Sequence, residues 1–195
     1  MEKNSAIIVV DMLYDFIDGS LACLNADNAV VETVKFLNGQ INTEDDSDGI
    51  YGSTPALFIC DHHPADHCSF TANGGEWPPH CIAGTRGGEI CEQLKPYVSD
   101  ELCFYKGCDA GKEQYSGYEG VNTAGQSLSE VLSLLDIKDC YVCGIATEFC
   151  VRNTCEDLLH AGYNVHLLVP CLAYVNEDGH RKAISEMKSE SIIIQ

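Results

Sequence analysis

Basic residues are scarce in this sequence: 11 Lys and Arg stand against 30 Asp and Glu among 195 residues, a formal net charge of −19. So acidic a surface argues against nucleic acids and anionic membranes as partners, because both demand clustered positive charge. Long apolar runs are missing too, none approaching the roughly 20 residues of a membrane-spanning helix. Met1-Glu2-Lys3-Asn4-Ser5 leads into a short apolar run ending at Asp11, which reads as a first strand and not as a secretory signal. There is no Asn-x-Ser/Thr sequon, internal repeat, low-complexity tract or interdomain linker. Together these absences predict a single cytoplasmic domain over residues 1–195.

Cysteine, by contrast, is abundant, with twelve residues. A chain of this length with 45% hydrophobic residues builds its own core and needs no disulfide scaffold. Cys60, Cys103, Cys140 and Cys143 fall inside predicted strands, where Cys acts as a small hydrophobe. Cys140-x-x-Cys143 has redox spacing, but redox pairs open helices, and in a strand residues three apart face opposite sides. Two other motifs are incomplete. The acidic segment Asn42 to Gly49, with Glu44, Asp45, Asp46 and Asp48, lacks the glycine and terminal glutamate of a calcium loop and reads as solvated. Gly107-x-x-x-Gly111-Lys112 is one residue short of a phosphate-binding loop and lacks the following Ser/Thr.

Strand-like runs occur at Ala6–Val10, Ala56–Cys60, Leu102–Tyr105, Cys140–Ile145, Val165–Val169 and Ser191–Ile194. Helical patterns separate them: Ala29 to Ile41, a capping box Ser127-x-x-Glu130 before Val131, Leu132, Leu134 and Leu135, Thr147 to His160 stopped by Gly162, and Glu177 to Met187. This alternation predicts a three-layer α/β/α sandwich on a six-stranded, mostly parallel sheet.

Chemistry gathers where those strands end. Asp11 follows the first, Asp61 the second and Lys106 the third, while the fourth feeds Cys150 at the start of a helix. In a parallel sheet all four lie on the carboxyl edge, where ligands bind. A helix N-terminus favours a thiolate and an oxyanion. Lowering a thiol pKa by two units takes roughly 2.7 kcal/mol, however, and a helix end supplies about 0.3–1 kcal/mol. Something else must take or compensate the proton: Asp11 can act as general base for Cys150, and Lys106 can hold Asp11. Taken alone, each residue also reads more simply, Asp11 as a helix cap ion-paired with Lys106 and Cys150 as an inert, buried thiol. Asp61 and His63, two apart in extended chain, face one side and leave His62 on the other. His67 and His80 can add ligands, and such mixed donors suit one divalent Zn, Fe or Mn ion.

Together the residues resemble a known family. Val9-Val10-Asp11 with Asp15-Phe16, Asp61-x-His63-Pro64 with His67 and Ser69-Phe70, Trp77-Pro78-Pro79-His80-Cys81, Lys106-Gly107 with Tyr115-Ser116-Gly117-Tyr118-Glu119-Gly120, and Gly144-Ile145-Ala146-Thr147 with Cys150-Val151 are similar to the motifs of nicotinamidases. These enzymes, which also act as pyrazinamidases, belong to the isochorismatase-like cysteine hydrolases. The resemblance implies a triad of nucleophile Cys150, base Asp11 and Lys106, with metal on Asp61, His63 and His80 and His67 as a candidate fourth ligand. It further implies a cis Ile145–Ala146 peptide, an oxyanion hole from the Ala146 and Cys150 amides, and substrate contacts from Phe16, Trp77 and Ile145. The implied partner is a small aza-aromatic amide, hydrolysed in NAD salvage; self-association is left open. The chain departs from the family at Leu13-Tyr14, where Gln-Asn or a similar pair is frequent, and at Glu148, where Asp is more usual. Two alternatives remain at this point: another hydrolase of the superfamily, which would not need the metal residues, and a non-catalytic cysteine-rich metal or thiol protein.

Overall fold

In the computed structural model, which describes residues 4–41 and 54–195, six parallel strands form one sheet in the order β3-β2-β1-β4-β5-β6. The strands are β1 (Ser5–Val10), β2 (Ala56–Asp61), β3 (Cys103–Lys106), β4 (Asp139–Gly144), β5 (Asn164–Leu172) and β6 (Ile193–Ile194). All five pairings are parallel, so the mostly parallel sheet expected from the sequence is wholly so. The acidic segment Asn42 to Gly49 lies outside the described residues.

Every residue of β1 is buried, because the strand is covered on both faces. Ala6, Ile8 and Val10 pack on one side with residues of α3 (Leu128–Leu134), α4 (Arg152–His160) and α5 (Glu177–Ser189). Ile7 and Val9 pack on the other with α2 (Ala26–Ile41) and Phe16 of the short α1 (Tyr14–Ile17). This period-2 division explains a continuous apolar run that sequence alone could assign to strand or buried helix. Cys140 and Cys143 fall in opposite layers, as a strand requires. All twelve cysteines are free and nine are buried.

The sheet reverses its winding between β1 and β4, adjacent strands separated by more than a hundred residues of chain. That junction is the topological switch point, and its carboxyl side is the crevice of open α/β sheets. Gly144 makes the close approach there: at its φ of 126° a Cβ would sit 2.0 Å from the Val10 carbonyl oxygen.

One expected helix is built differently. Residues Thr147 to His160 do not form a continuous α-helix: Thr147–Val151 is a π turn, closed by Val151 N–H donating to the Ala146 carbonyl at 3.2 Å, and α4 begins only at Arg152. Such wide turns recur at functional sites.

Candidate active site

Asp11, at the end of β1, has a positive φ of 49°, a backbone region that Asp tolerates better than most residues. Its Oδ1 accepts the Asp61 amide at 2.8 Å, which ties the ends of β1 and β2 together. Oδ2 lies 2.9 Å from the Lys106 ammonium, a fully buried ion pair. Lys106, fully buried at the end of β3, donates a short hydrogen bond to Asp61 Oδ1 and reaches Cys150 Sγ at 3.4 Å. One ammonium thus faces two carboxylates and a thiol.

The electrostatics follow from that arrangement. Burial pushes the Asp11 carboxyl up to about 6, helped by the negative Asp61 beside it and opposed by Lys106. Burial works against charge on Asp61 too, but Lys106 and His63 outweigh it and hold this carboxyl well below the usual range. Lys106 is also penalised by burial, yet Asp11 and Asp61 keep it firmly protonated. Burial drives the Cys150 thiol far above its ordinary value, against the pull of Lys106 and with the push of both carboxylates. Burial thus adds to the shortfall that a helix N-terminus alone leaves, and Asp11, the carboxylate raised toward neutral pH, is placed as the candidate acceptor for the Cys150 proton.

Beside the thiol, Asp61, His63 and His80 each present one ligand atom within 4.8 Å of the others. His63 Nδ1 bonds the Gly107 carbonyl at 2.9 Å and His80 Nδ1 the Pro78 carbonyl at 2.8 Å, which commits one nitrogen of each ring and leaves Nε2 for a metal. Asp15, quoted above only as a motif residue, accepts the Cys81 amide at 2.7 Å and so fixes the chain just after His80. Two hard-to-intermediate nitrogens and a carboxylate fit a divalent transition ion with open positions. His67 does not join them. Its Nδ1 bonds Ser69 Oγ at 2.7 Å and its Nε2 the Lys112 carbonyl at 3.2 Å, while the ring packs on His63 with centroids 4.1 Å apart. His62 points away, against Tyr105, as its spacing predicts.

Cys150 and the candidate metal ligands Asp61, His63 and His80 line one cleft that opens to solvent. Phe16, Trp77, Tyr115 and Phe149 supply aromatic walls, and Ala146 lines it beside Cys150. Trp77 meets Phe149 edge-on at 5.1 Å, and its indole N–H donates to the Tyr115 hydroxyl at 3.1 Å. The Ile145–Ala146 peptide is cis. Ile145 itself, expected at the substrate, does not line the cavity: it is buried in the layer shared with α2, with its N–H on the Val10 carbonyl at 2.9 Å. Leu13 is likewise buried, not turned to the site, so the departure from the usual Gln-Asn pair does not add a wall residue. Tyr115 and Phe149 carry no role in the sequence motifs, and Leu21, Cys23, Glu113, Gln114 and Val175, which no motif distinguishes, line the cavity as well.

A doubly wound parallel sheet carrying a buried thiol, its acceptor carboxylate and a metal-ligand set at the switch point defines an α/β hydrolytic enzyme. Within that class the chain belongs to the isochorismatase family, whose domain model matches residues 5–194. It is 32% identical over 188 residues to the nicotinamidase/pyrazinamidase of Mycobacterium tuberculosis, with 96% of each chain covered. Among solved structures it is similar to the pyrazinamidase of Pyrococcus horikoshii in complex with zinc, at a TM-score of 0.84, 32% identity and 98% coverage of both chains. It is also similar to PnC1 from L. infantum in complex with nicotinate, at a TM-score of 0.82 and 26% identity over 99% of this chain and 92% of that one.

Proposed function

We propose that this chain hydrolyses the carboxamide of nicotinamide to nicotinate and ammonia, and takes pyrazinamide in the same way. The observation that carries the reading is a single aromatic-walled cavity lined by Cys150, Asp61, His63 and His80 together. The nicotinamidase and pyrazinamidase relatives support it. A superfamily hydrolase acting on a carbamoyl compound would leave the metal residues unexplained, and a thiol-buffering protein would not bury nine of its twelve cysteines.

In the first half-reaction Asp11 takes the Cys150 proton as sulfur attacks the carboxamide carbon. Lys106, 3.4 Å from sulfur, offsets the charge that develops there. The backbone N–H groups of Ala146 and Cys150 receive the oxyanion of the tetrahedral intermediate. The C–N bond then breaks, Asp11 returns its proton to nitrogen, and ammonia leaves a nicotinoyl thioester. Water attacks that thioester while Asp11 takes one of its protons. Collapse releases nicotinic acid, which loses its remaining proton to solvent as nicotinate, and Asp11 gives its proton back to Cys150 sulfur. Phe16 and Trp77 flank the ring throughout. A divalent metal on Asp61, His63 and His80, which we assign as zinc with Fe or Mn as alternatives, supplies when bound a Lewis acid for the pyridine nitrogen. The reaction belongs to pyridine-nucleotide salvage in the cytoplasm; among the described residues no helix is long and apolar enough to cross a membrane.

The test is ammonia release from nicotinamide and pyrazinamide by metal-loaded protein. Wild type is expected to turn over both. Cys150→Ala is expected to lose roughly 10⁴-fold or more, and His80→Ala to lose bound metal along with activity. An inactive wild type, or an active Cys150→Ala, sinks the assignment.

A further inference from the structure

Glu148 stands two residues before the nucleophile, yet its side chain does not line the cavity. Its Oε1 instead accepts two successive backbone N–H groups, Val175 at 3.0 Å and Asn176 at 2.9 Å, from the segment that follows β5. Its Oε2 is buried and has no partner among the described residues. Glu148 is half-buried, and its carboxylate is committed to holding that segment through two backbone amides.

The segment is a wall of the site. Val175 lines the cavity, opposite in chain order from Leu21 and Cys23, which line it too. The two wall pieces are joined: Leu24 N–H donates to the Tyr174 carbonyl at 2.8 Å, and Tyr174 N–H to the Leu24 carbonyl at 3.1 Å. On the other side the segment is tied to the π turn. Thr147 gives its N–H at 2.9 Å and its hydroxyl at 3.0 Å to the Ala173 carbonyl, and His180 of α5 bonds the Thr147 hydroxyl at 3.0 Å while stacking on Tyr174. Thr147 thus anchors residue 173, while Glu148 accepts the backbone N–H groups of residues 175 and 176. Asn176 in turn caps α5 by accepting the Gly179 N–H at 2.7 Å.

Resting on the function proposed above, we infer that Glu148 is a positioning residue that sets how far the Val175 wall stands from the thiol, and thereby limits which substituted aza-aromatic amides fit. With the acceptor in place the wall is closed around an unsubstituted ring. Without it two amides lose their partner, the wall relaxes outward, and the Leu24–Tyr174 bridge carries Leu21 and Cys23 with it. The effect falls on ring binding and not on the Cys150–Asp11–Lys106 contacts, none of which involves Glu148.

The experiment compares wild type, Glu148→Ala, Glu148→Gln and Val175→Ala on nicotinamide and on nicotinamide bearing a ring methyl. Glu148→Ala is expected to raise KM for nicotinamide about tenfold with kcat within about threefold, a loss of uniform binding, and to raise the kcat/KM ratio of methylated to parent amide. Val175→Ala is expected to shift that ratio the same way, and combining it with Glu148→Ala to add less than the sum of the two. Glu148→Gln, which keeps an oxygen acceptor, is expected to restore KM and ratio toward wild type. Hydrogen exchange at the Val175 and Asn176 amides should accelerate in Glu148→Ala and stay slow in Glu148→Gln. An unchanged ratio in Glu148→Ala, or a fall in kcat with KM constant for both amides, overturns this inference while wild-type turnover leaves the assigned reaction standing. A wild type that does not hydrolyse nicotinamide overturns both.

Discussion

Lys106 is the residue on which the site's charge balance turns. Its ammonium, completely buried, sits among Asp11, Asp61 and Cys150. Removing one partner from a buried ion network leaves the remaining charges unpaired, which costs about 3–5 kcal/mol. Lys106→Ala is therefore expected to lose that much in denaturant unfolding, and to lose activity even where it folds. A loss below about 1 kcal/mol would mean that water enters and replaces the ammonium. Next to it, Gly107 has a φ of 64°, and a Cβ there would lie 2.3 Å from His63 Cε1. Gly107→Ala is expected to rotate the His63 ring off its backbone carbonyl and weaken metal binding by about 10–100-fold, read by titration of the metal-free protein with zinc. At this scale the sequence was most informative. Asp11, Asp61, His63, Lys106, His80 and Cys150 were all visible because each follows a strand or a compact motif. His67 and Ile145 misled for one reason: proximity in sequence to the site does not say where a side chain turns. A serine two residues on captures the His67 ring, and the sheet layer captures Ile145.

Among the elements, α3 is the one whose start could be read without ambiguity. Ser127 Oγ accepts the Glu130 N–H at 3.2 Å, and Glu130 returns to the Ser127 N–H at 2.7 Å. Ser127→Ala is expected to cost about 0.5–2 kcal/mol, measured by thermal or denaturant unfolding. The same box carries a pH dependence. The Ser127 backbone and hydroxyl donate to Glu130 and hold its carboxyl below the ordinary value of 4.5. A carboxyl depressed on folding stabilises the native state above its unfolded pKa, and that contribution disappears as pH falls from there through the folded value. The stability difference between wild type and Ser127→Ala is thus expected to shrink below about pH 4.5. The π turn at Thr147–Val151 was not legible, because inserting one extra residue in a turn leaves the apolar stripe of Val151, Cys155 and Leu158 in place. Nor was α1, whose four residues are too few to show a period. The glycine at the end of β4 shows what the fold demands beyond pattern: Gly144→Ala combines a forbidden φ with a clash on Val10 and is expected to destabilise by more than about 1 kcal/mol.

For the molecule as a whole, the twelve cysteines become intelligible as packing material. Nine are buried, and burial pushes Cys140 up to about 12 and Cys171 to about 11. Only Cys108 is exposed, with Cys23 and Cys68 half-buried. A bulky thiol reagent is expected to modify at most these three and the cavity-lining Cys150 in the native protein, and all twelve after denaturation. A native count well above four would point to a loosely packed interior. The sheet order gives the site a further property. The proposed base and metal ligands come from residues 11 to 80 and the cation from residue 106, all on the half that winds one way from β1. The proposed nucleophile, Cys150, comes from the half that winds the other way, and the two halves meet across the β1–β4 pairing. The proposed acceptor carboxylate, Asp11, therefore comes within reach of Cys150 only when the two central strands have paired, so the site's chemistry is a property of the joined halves and of neither alone.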